Sequence, residues 1–466
     1  MNPPNPLDIM NEAPSSSFHR RLLIACCGGP FLDGYVLSII GVALIGLMQD
    51  LSVTSAESGL IGAASLVGIF FGAIVFGSLT DRLGREKMYA LDLTVLVAAC
   101  LASAFVTSAW QLIAVRFVLG LAIGADYPIA TSLLTEFTQT RRRGFMIGLS
   151  GVAWLLGAMA AFGVGASIVQ LSGGYHLWRW MLASSAVLGV VVVLLRRGIP
   201  ESPRWLVRKG RVRDAEDVIE QVYGRRVDLS AARLGGAAPS LKVWAAIRMI
   251  FSGGYLQRTV MCGLLYFAQI TPQFAIYTFG PVILLKFGLQ GGALDIIGSA
   301  VISAIFVLGA LPALKLVDSW GRRPMCVIPF GLMVLPLLAL GWAAEGPAWF
   351  IVAAFCFYAF FSGGPSLLEW IYPNELFPTE VRATAVGIAV GFSRLGAATG
   401  TYLVPVGLDR LGTGGVMLIG AAITAIGFLA CLRWAPETKG KSLEATSSLA
   451  GERGAAPSVA CIGEAS

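Results

Sequence analysis

The stretch Gly77-Ser-Leu-Thr-Asp81-Arg82-Leu-Gly84-Arg85-Glu86-Lys87 follows a long run of small and apolar residues, and a related stretch, Val317-Asp318-Ser-Trp-Gly321-Arg322-Arg323, follows another. The two copies lie about half of the 466-residue chain apart. Two further pairs keep nearly the same spacing: Glu136 and Arg143 recur as Glu375 and Arg382, and Pro200-Glu-Ser recurs as Pro436-Glu-Thr. Three signals at one period indicate an internal duplication.

Composition predicts that the duplicated unit lies in a lipid bilayer. Hydrophobic residues make up 56% of the chain and charged residues only 13%, and apolar runs of about 20 residues are long enough to cross the hydrocarbon layer. Alternation at period two is weak, which argues against a membrane barrel. We therefore predict an all-α membrane protein with twelve transmembrane helices in two six-helix repeats, at about 22–48, 58–79, 90–107, 110–134, 145–169, 177–197, 259–285, 293–316, 325–343, 347–372, 383–407 and 412–434.

Basic residues are distributed unevenly between the two ends of these spans. The connections after spans 1, 3 and 9 contain no lysine or arginine, whereas most basic residues lie in the alternate connections and in the long segment between the two halves. Such an excess marks the cytoplasmic side. We predict a multi-pass protein of the cell membrane with both termini in the cytoplasm. The net charge of +7 is explained by this topology and does not indicate a nucleic-acid partner.

The spans divide the chain into five regions. Residues 1–21 are predicted to be a disordered tail, 22–197 the first six-helix bundle, 198–257 a cytoplasmic linker with short helices, 258–434 the second bundle and 435–466 a cytoplasmic tail. In the linker, Ser202-Pro203 is typical of a helix start.

The sequence offers no catalytic constellation. Its two histidines, His19 and His176, are far from any nucleophile pattern, and its eight cysteines have no metal-ligand spacing. We therefore expect neither an enzyme nor a bound cofactor or metal.

Several motifs resemble the sugar-porter branch of the major facilitator superfamily. They are the repeated Asp-x-x-Gly-Arg loop, Arg116-Phe-Val-Leu-Gly, Pro200-Glu-Ser-Pro-Arg-Trp-Leu, Glu375-Leu-Phe-Pro-Thr-Glu-Val-Arg382 and Pro436-Glu-Thr-Lys-Gly-Lys-Ser-Leu-Glu444. The resemblance covers 22–444 and implies two bundles around a cavity that opens to each side in turn. The residues that it places in a cytoplasmic gate between the bundles are Asp81, Arg85, Glu136, Arg143, Asp318, Arg322, Glu375 and Arg382.

Charged residues inside predicted spans are costly to bury, which makes them candidates for function. Four stand out: Asp33 in span 1, Arg116 and Asp126 in span 4 and Arg394 in span 11. Members of the resembled family that are coupled to protons carry an aspartate and an arginine in spans 1 and 4. We therefore predict that Asp33 carries the proton and that Arg116 tunes it, with Asp126 nearby. The alternative is an ion pair that only holds span 1 against span 4.

The substrate is predicted to be a small polar metabolite bound by Gln269, Gln273, Tyr277 and Trp370. If Glu369 neutralises Arg394, a sugar or polyol fits. If Arg394 faces the cavity alone, a carboxylate is its natural partner through the planar fork of the guanidinium. The amides that sugar porters carry elsewhere are absent, so we favour an organic anion. A phosphate symporter, indicated by Gly124-Ala-Asp126-Tyr-Pro128, and a nontransporting sensor are further alternatives. We expect a monomer.

Overall fold

The computed structural model describes residues 16–137, 143–229, 243–289 and 294–441 together with residue 446. Within these residues the chain is largely helical and contains no strand, in agreement with the predicted all-α class. The first helix begins at Ser17, so residues 17–21 belong to it and not to the predicted disordered tail. The rest of that tail, and the disorder predicted past about residue 450, lie outside the described residues.

The N-terminal half contains six long helices with a short 3-10 turn, Tyr175–Leu177, before the last of them. They are α1 (Ser17–Asp50), α2 (Ser55–Leu83), α3 (Arg85–Ser103), α4 (Ala109–Phe137), α5 (Arg143–Ser172) and α6 (Trp178–Arg196).

The linker and the C-terminal half follow along the chain. The linker helices are α7 (Pro203–Arg208), α8 (Val212–Tyr223) and α9 (Val243–Ile250). As expected for a helix start, the Ser202 hydroxyl accepts a hydrogen bond from the Trp205 backbone N–H at 3.4 Å. The long helices of this half are α10 (Gly253–Lys286), α11 (Leu294–Trp320), α12 (Arg322–Trp342), α13 (Ala348–Leu376) and α14 (Thr379–Trp434).

These long helices account for all twelve predicted spans. Ten segments of the described residues are long and apolar enough to cross a membrane. Helix α3 is not among them. Helix α14 counts once although it holds two predicted spans, which join at Gly412, where φ is 71° and the backbone is not helical.

The end of the bundle at which the linker leaves α6 is called the linker end, and the opposite end is called the far end.

Glycines bring α1 and α5 into direct backbone contact. A Cβ atom at Gly34 would lie 2.0 Å from the carbonyl oxygen of Trp154, and one at Gly157 would lie 1.8 Å from that of Phe31. Neither distance is sterically possible, so both positions require glycine. Small residues at an interface allow membrane helices to approach each other closely. The contact with α5 therefore sets the orientation of the α1 face that carries Asp33.

The repeated Pro-Glu motifs cap the helices that follow the repeated loops. Gly84 and Gly321 precede α3 and α12 with φ values of 98° and 101°. The Glu437 carboxylate accepts the Arg322 and Arg323 backbone N–H groups at 3.0 and 3.1 Å, and in the other half a Cβ at Gly84 would lie 2.5 Å from Glu201 Oε2. Each glutamate therefore lies against the start of a helix, where negative charge is favoured.

Glu437 lies beyond the last span and is only partly buried. Burial raises its pKa, but hydrogen bonds from backbone N–H groups, led by those of Lys439 and Arg322, outweigh this effect and hold the pKa below its usual value. The cap is therefore charged at neutral pH.

Candidate functional site

Asp33 lies in the interior of the N-terminal half. It is 1% exposed, and neither carboxyl oxygen has a hydrogen-bond partner among the described residues. The charged groups that act on it are Asp126, Arg196, Asp92 and Arg394. Three of these belong to the same half, and Arg394 belongs to the other. Asp33 therefore lies between a buried charge cluster and the C-terminal half.

The core of this cluster is an ion pair between Asp126 of α4 and Arg196 of α6. Two contacts join the groups: Arg196 Nη1 lies 2.7 Å from Asp126 Oδ1, and Arg196 Nη2 lies 3.0 Å from Oδ2. Both side chains are almost completely buried. The guanidinium also lies 3.7 Å from the ring centroid of Tyr89 on α3. Two-point pairing with a stacked aromatic ring is a geometry that only arginine provides.

Helix α1 reaches this ion pair through Gly29. A Cβ there would lie 1.8 Å from Asp126 Oδ2 and 2.2 Å from Arg196 Nη2, so the pair touches the backbone of α1 directly. Asp33 follows Gly29 by four residues and lies on the same face of α1, about 6 Å further along the helix.

The predicted pairing of Asp33 with Arg116 is not formed in this structure. Arg116 is buried, and its Nε donates a hydrogen bond at 2.7 Å to the backbone carbonyl of Ile61 on α2. Along α4 it lies ten residues from Asp126, which corresponds to about 15 Å. Its interaction with α2 accounts for its burial, and Arg196 supplies the positive charge of the Asp33 cluster instead.

Sequence reasoning missed two members of this cluster, Asp92 and Arg196. Asp92 is 4% exposed, and its carboxyl lies within hydrogen-bonding reach of Asp126. It is the third residue of a predicted span and could have been recognised as an intramembrane acid. Arg196 lies next to the last residue of the predicted sixth span, a position that is typical of an arginine at the membrane interface. A signal for it was present in the uncompensated acids of spans 1, 3 and 4, which require a counter-charge.

In the C-terminal half, Glu369 of α13 and Arg394 of α14 lie close together. Glu369 is 5% exposed, and Arg394 is the charged group that acts on its carboxyl. Arg394 is only partly buried and also acts on Asp33 in the other half. It therefore lies on the side of α14 that faces the junction between the halves.

A polar cluster connects α10 with α13 beside these charges. The amide nitrogen of Gln269 donates to the hydroxyl oxygens of Ser362 and Ser366 at 2.5 and 2.8 Å, and lies 3.3 Å from Gln273 Oε1. Its Oε1 atom is buried and has no partner within the described residues. The predicted pair Gln269 and Gln273 is thus brought together, with acceptor capacity remaining.

A row of aromatic rings extends from the polar cluster across the junction between the two halves. Trp154 of α5 meets Tyr277 of α10 with ring centroids 5.1 Å apart, and Tyr277 in turn meets Phe306 of α11 at 5.1 Å. The hydroxyl of Tyr277 is buried and lacks a hydrogen-bond partner in the described part of the chain. Trp370, the other predicted aromatic, lies on α13, but its side chain is outside the described residues.

At the far end the two halves are joined by hydrogen bonds. The Tyr175 hydroxyl donates to the carboxylate oxygens of Asp295 at 2.8 and 2.7 Å. Ser55 donates to Asp409, whose other oxygen lies 3.6 Å from Lys286 Nζ. This end of the junction is therefore closed.

Of the predicted gate, the structure describes three side chains, all in the C-terminal half. Arg322 Nη2 lies 3.0 Å from Glu375 Oε1, and Arg382 Nε donates to the carbonyl of Phe377 at 3.2 Å. These contacts lie within one half. The side chains of Asp81, Arg85, Glu136, Arg143 and Asp318 are outside the described residues, so gate contacts between the halves stay a prediction.

No group of three histidine, cysteine, aspartate or glutamate side chains in the described residues could hold a metal ion.

The chain is similar to known membrane transporters. The sequence profile of the family described as sugar (and other) transporter matches residues 22–450. The putative metabolite transport protein YaaU of Escherichia coli (strain K12) is 41% identical over 434 residues, covering 93% of this chain and 96% of that protein. The arabinose-proton symporter of Bacillus subtilis (strain 168) is 30% identical over 450 residues, covering 92% and 95%.

A solved structure has the same fold. The partially occluded inward-open conformation of the xylose transporter XylE from Escherichia coli matches with a TM-score of 0.76 at 20% identity, covering 92% of this chain and 100% of that one. The twelve-span fold and the family profile agree, and they exclude an enzyme. The chain belongs to the sugar (and other) transporter family and is a multi-pass membrane transporter of the major facilitator superfamily.

Proposed function

We propose that this transporter moves a neutral polyhydroxyl compound, a sugar or a polyol, together with protons by alternating access. The observation that supports this substrate class is the electrostatic interaction of Arg394 with the buried Glu369 carboxyl. A carboxylate beside the guanidinium balances its charge inside the protein, and a charge-balanced site favours an uncharged ligand over an anion. The sequence alone favoured an organic anion because the amides that sugar porters carry elsewhere are absent, and it left open whether Glu369 neutralises Arg394.

The polar groups around this pair are suited to hydroxyl groups. Gln269 Oε1 and the Tyr277 hydroxyl are buried without partners in the described chain. Such groups are costly to leave unsatisfied, so a ligand that hydrogen-bonds to them is favoured. Trp154 and Tyr277 present aromatic rings beside them, against which the apolar face of a sugar can pack. The similarity to an arabinose-proton symporter and to a xylose transporter supports the same class.

An organic anion is the second candidate. Glu369 is almost fully buried, whereas Arg394 is only partly buried, so Arg394 is the more exposed of the two residues. A carboxylate ligand that reached Arg394 would replace Glu369 as its partner.

Ligand stabilisation of the purified protein separates the two candidates. We expect neutral sugars or polyols to raise the melting temperature, since a ligand at about 100 times its Kd adds about 2.7 kcal/mol to the stability of the folded state. Sugar acids and aromatic acids should have no such effect on the wild type. In Glu369→Gln the preference should move towards the acids, because Arg394 loses its counter-charge. Stabilisation of the wild type by acids alone would contradict the neutral substrate.

The orientation in the membrane is also part of this proposal. The excess of arginine and lysine at the linker end supports a cytoplasmic location for both termini and for the charged gate loops. The closed far end would then face outward. A reporter that is active only in the cytoplasm, fused after residue 441, should be active in cells, and an inactive but expressed fusion would reverse the orientation.

A further inference from the structure

Asp92 of α3 is the buried acid that the transport site leaves unexplained. Its Oδ1 accepts the backbone N–H of Leu93 at 2.6 Å, and its Oδ2 is buried without a hydrogen-bond partner among the described residues. An unpartnered carboxylate oxygen in the interior is costly. Either the group is neutral, or a nearby positive charge compensates it.

The geometry places Asp92 beside the Asp126–Arg196 ion pair. Tyr89, whose ring lies under the Arg196 guanidinium at 3.7 Å, precedes Asp92 by three residues on α3. Residues at this spacing are neighbours on one helix face. Asp92 therefore faces the same space as the guanidinium, and its carboxyl is within hydrogen-bonding reach of Asp126.

Charge counting then determines the protonation state of the cluster. Three carboxyl groups, those of Asp33, Asp92 and Asp126, lie within electrostatic range of the Arg196 guanidinium, and Arg394 of the other half acts on Asp33 as well. Arg196 already has two contacts with Asp126. Two carboxyl groups can hydrogen-bond to each other only if one of them carries a proton.

We propose that Asp92 and Asp126 hold a shared proton at a second proton-binding site behind Asp33, with Arg196 as its fixed counter-charge. The proton binds to a carboxylate oxygen of Asp92, and the resulting O–H donates to Asp126, which stays ionised against Arg196. The site lies in the N-terminal half, whereas Gln269, Glu369 and Arg394 belong to the C-terminal half. The shared proton adds a second proton-binding site to the proposed proton-coupled transport. Only the role of this site in transport rests on the proposed function.

The described residues place several polar and charged groups around this site. Helix α1 contributes Asp33 and the thiol of Cys26, α4 contributes Asp126, α6 contributes Arg196, and α3 itself contributes Tyr89. Arg196 is thus the positive charge that contacts Asp126 in the described residues, and Arg394 of α14 acts on Asp33 from the other half. Neither arginine is a proton donor at physiological pH.

Infrared spectroscopy of the purified, substrate-free protein at neutral pH tests the proposal. A protonated carboxyl group has a C=O stretch that is separate from that of a carboxylate. We expect Asp92→Asn to remove one component of this acid band, and Asp33→Asn to remove a different one. The control Glu345→Gln changes an exposed loop residue and should remove neither. An unchanged acid band in Asp92→Asn would overturn the proposal.

Asparagine can donate its amide N–H to Asp126 in place of the proton, so we expect Asp92→Asn to fold. If it does not, isotope labelling of the aspartate carboxyl carbon in the wild type gives the same answer. In labelled Asp33→Asn at least one component must still shift within the acid band, and the absence of any such component would overturn the proposal. The measurement contains no substrate and is independent of transport. An absent acid band would therefore overturn the shared proton without contradicting proton-driven transport. A present acid band would support the shared proton even if transport were not coupled to protons.

Discussion

Asp33→Asn is expected to abolish uphill accumulation of substrate while facilitated exchange continues. The carboxyl of Asp33 is almost completely buried, lacks a hydrogen-bond partner in the described chain and lies between the Asp126–Arg196 pair and Arg394. Asparagine has the same shape as the neutral acid but cannot gain or lose a proton. The variant should therefore keep the binding site and lose the link between proton movement and substrate movement.

The expected effect on accumulation is large. A gradient of one pH unit is worth about 1.4 kcal/mol per proton, which corresponds to about tenfold accumulation for one coupled proton. In proteoliposomes with such a gradient, the wild type should reach at least this ratio, and Asp33→Asn should equilibrate without accumulation. The probe is the radiolabelled sugar that the stabilisation screen selects, and Glu345→Gln is the control. Wild-type accumulation in Asp33→Asn would show that Asp33 is not the coupling group.

The fold was predictable because its signals are local. Span length and composition are contained in each segment, and the duplicated loop and the two Pro-Glu motifs gave the repeat. The reason for the Pro-Glu repeat was not predictable in the same way. Glu437 reaches a helix start more than 100 positions earlier in the chain, and only the folded structure brings them together.

The charge cluster was only half predictable for the same reason. Burial of Asp33 and Asp126 follows from their position in apolar runs. The identity of their positively charged partner does not follow from the sequence, because an arginine at the end of a span can point outward to the interface or inward to the bundle. Arg196 points inward because Gly29 of α1 leaves room for it and Asp126 of α4 attracts it. Arg116 appeared to be the better partner because it lies inside a span, but it is held by the Ile61 carbonyl.

Arg196→Gln is expected to destabilise the folded protein strongly. The substitution leaves the Asp126 carboxylate, with a side chain that is 3% exposed, without its counter-charge. Breaking a buried ion pair by removing one partner costs roughly 3 to 5 kcal/mol. The neighbouring Arg197 is exposed and provides a matched control, since Arg197→Gln should change the free energy of unfolding by less than about 0.5 kcal/mol. Unfolding in detergent at neutral pH measures both.

The double variant Asp126→Asn with Arg196→Gln separates charge from packing. It removes both charges, leaves two neutral amides that can hydrogen-bond to each other, and should recover most of the stability lost in Arg196→Gln. Recovery would mean that the single variant fails because a lone carboxylate is buried. A double variant as unstable as the single one would instead assign the loss to the stacking of the guanidinium on Tyr89 and its bond to the Ala25 carbonyl. If Arg196→Gln alone were as stable as Arg197→Gln, a proton on Asp126 would have to replace the guanidinium, and Arg196 could not be the fixed counter-charge of the cluster.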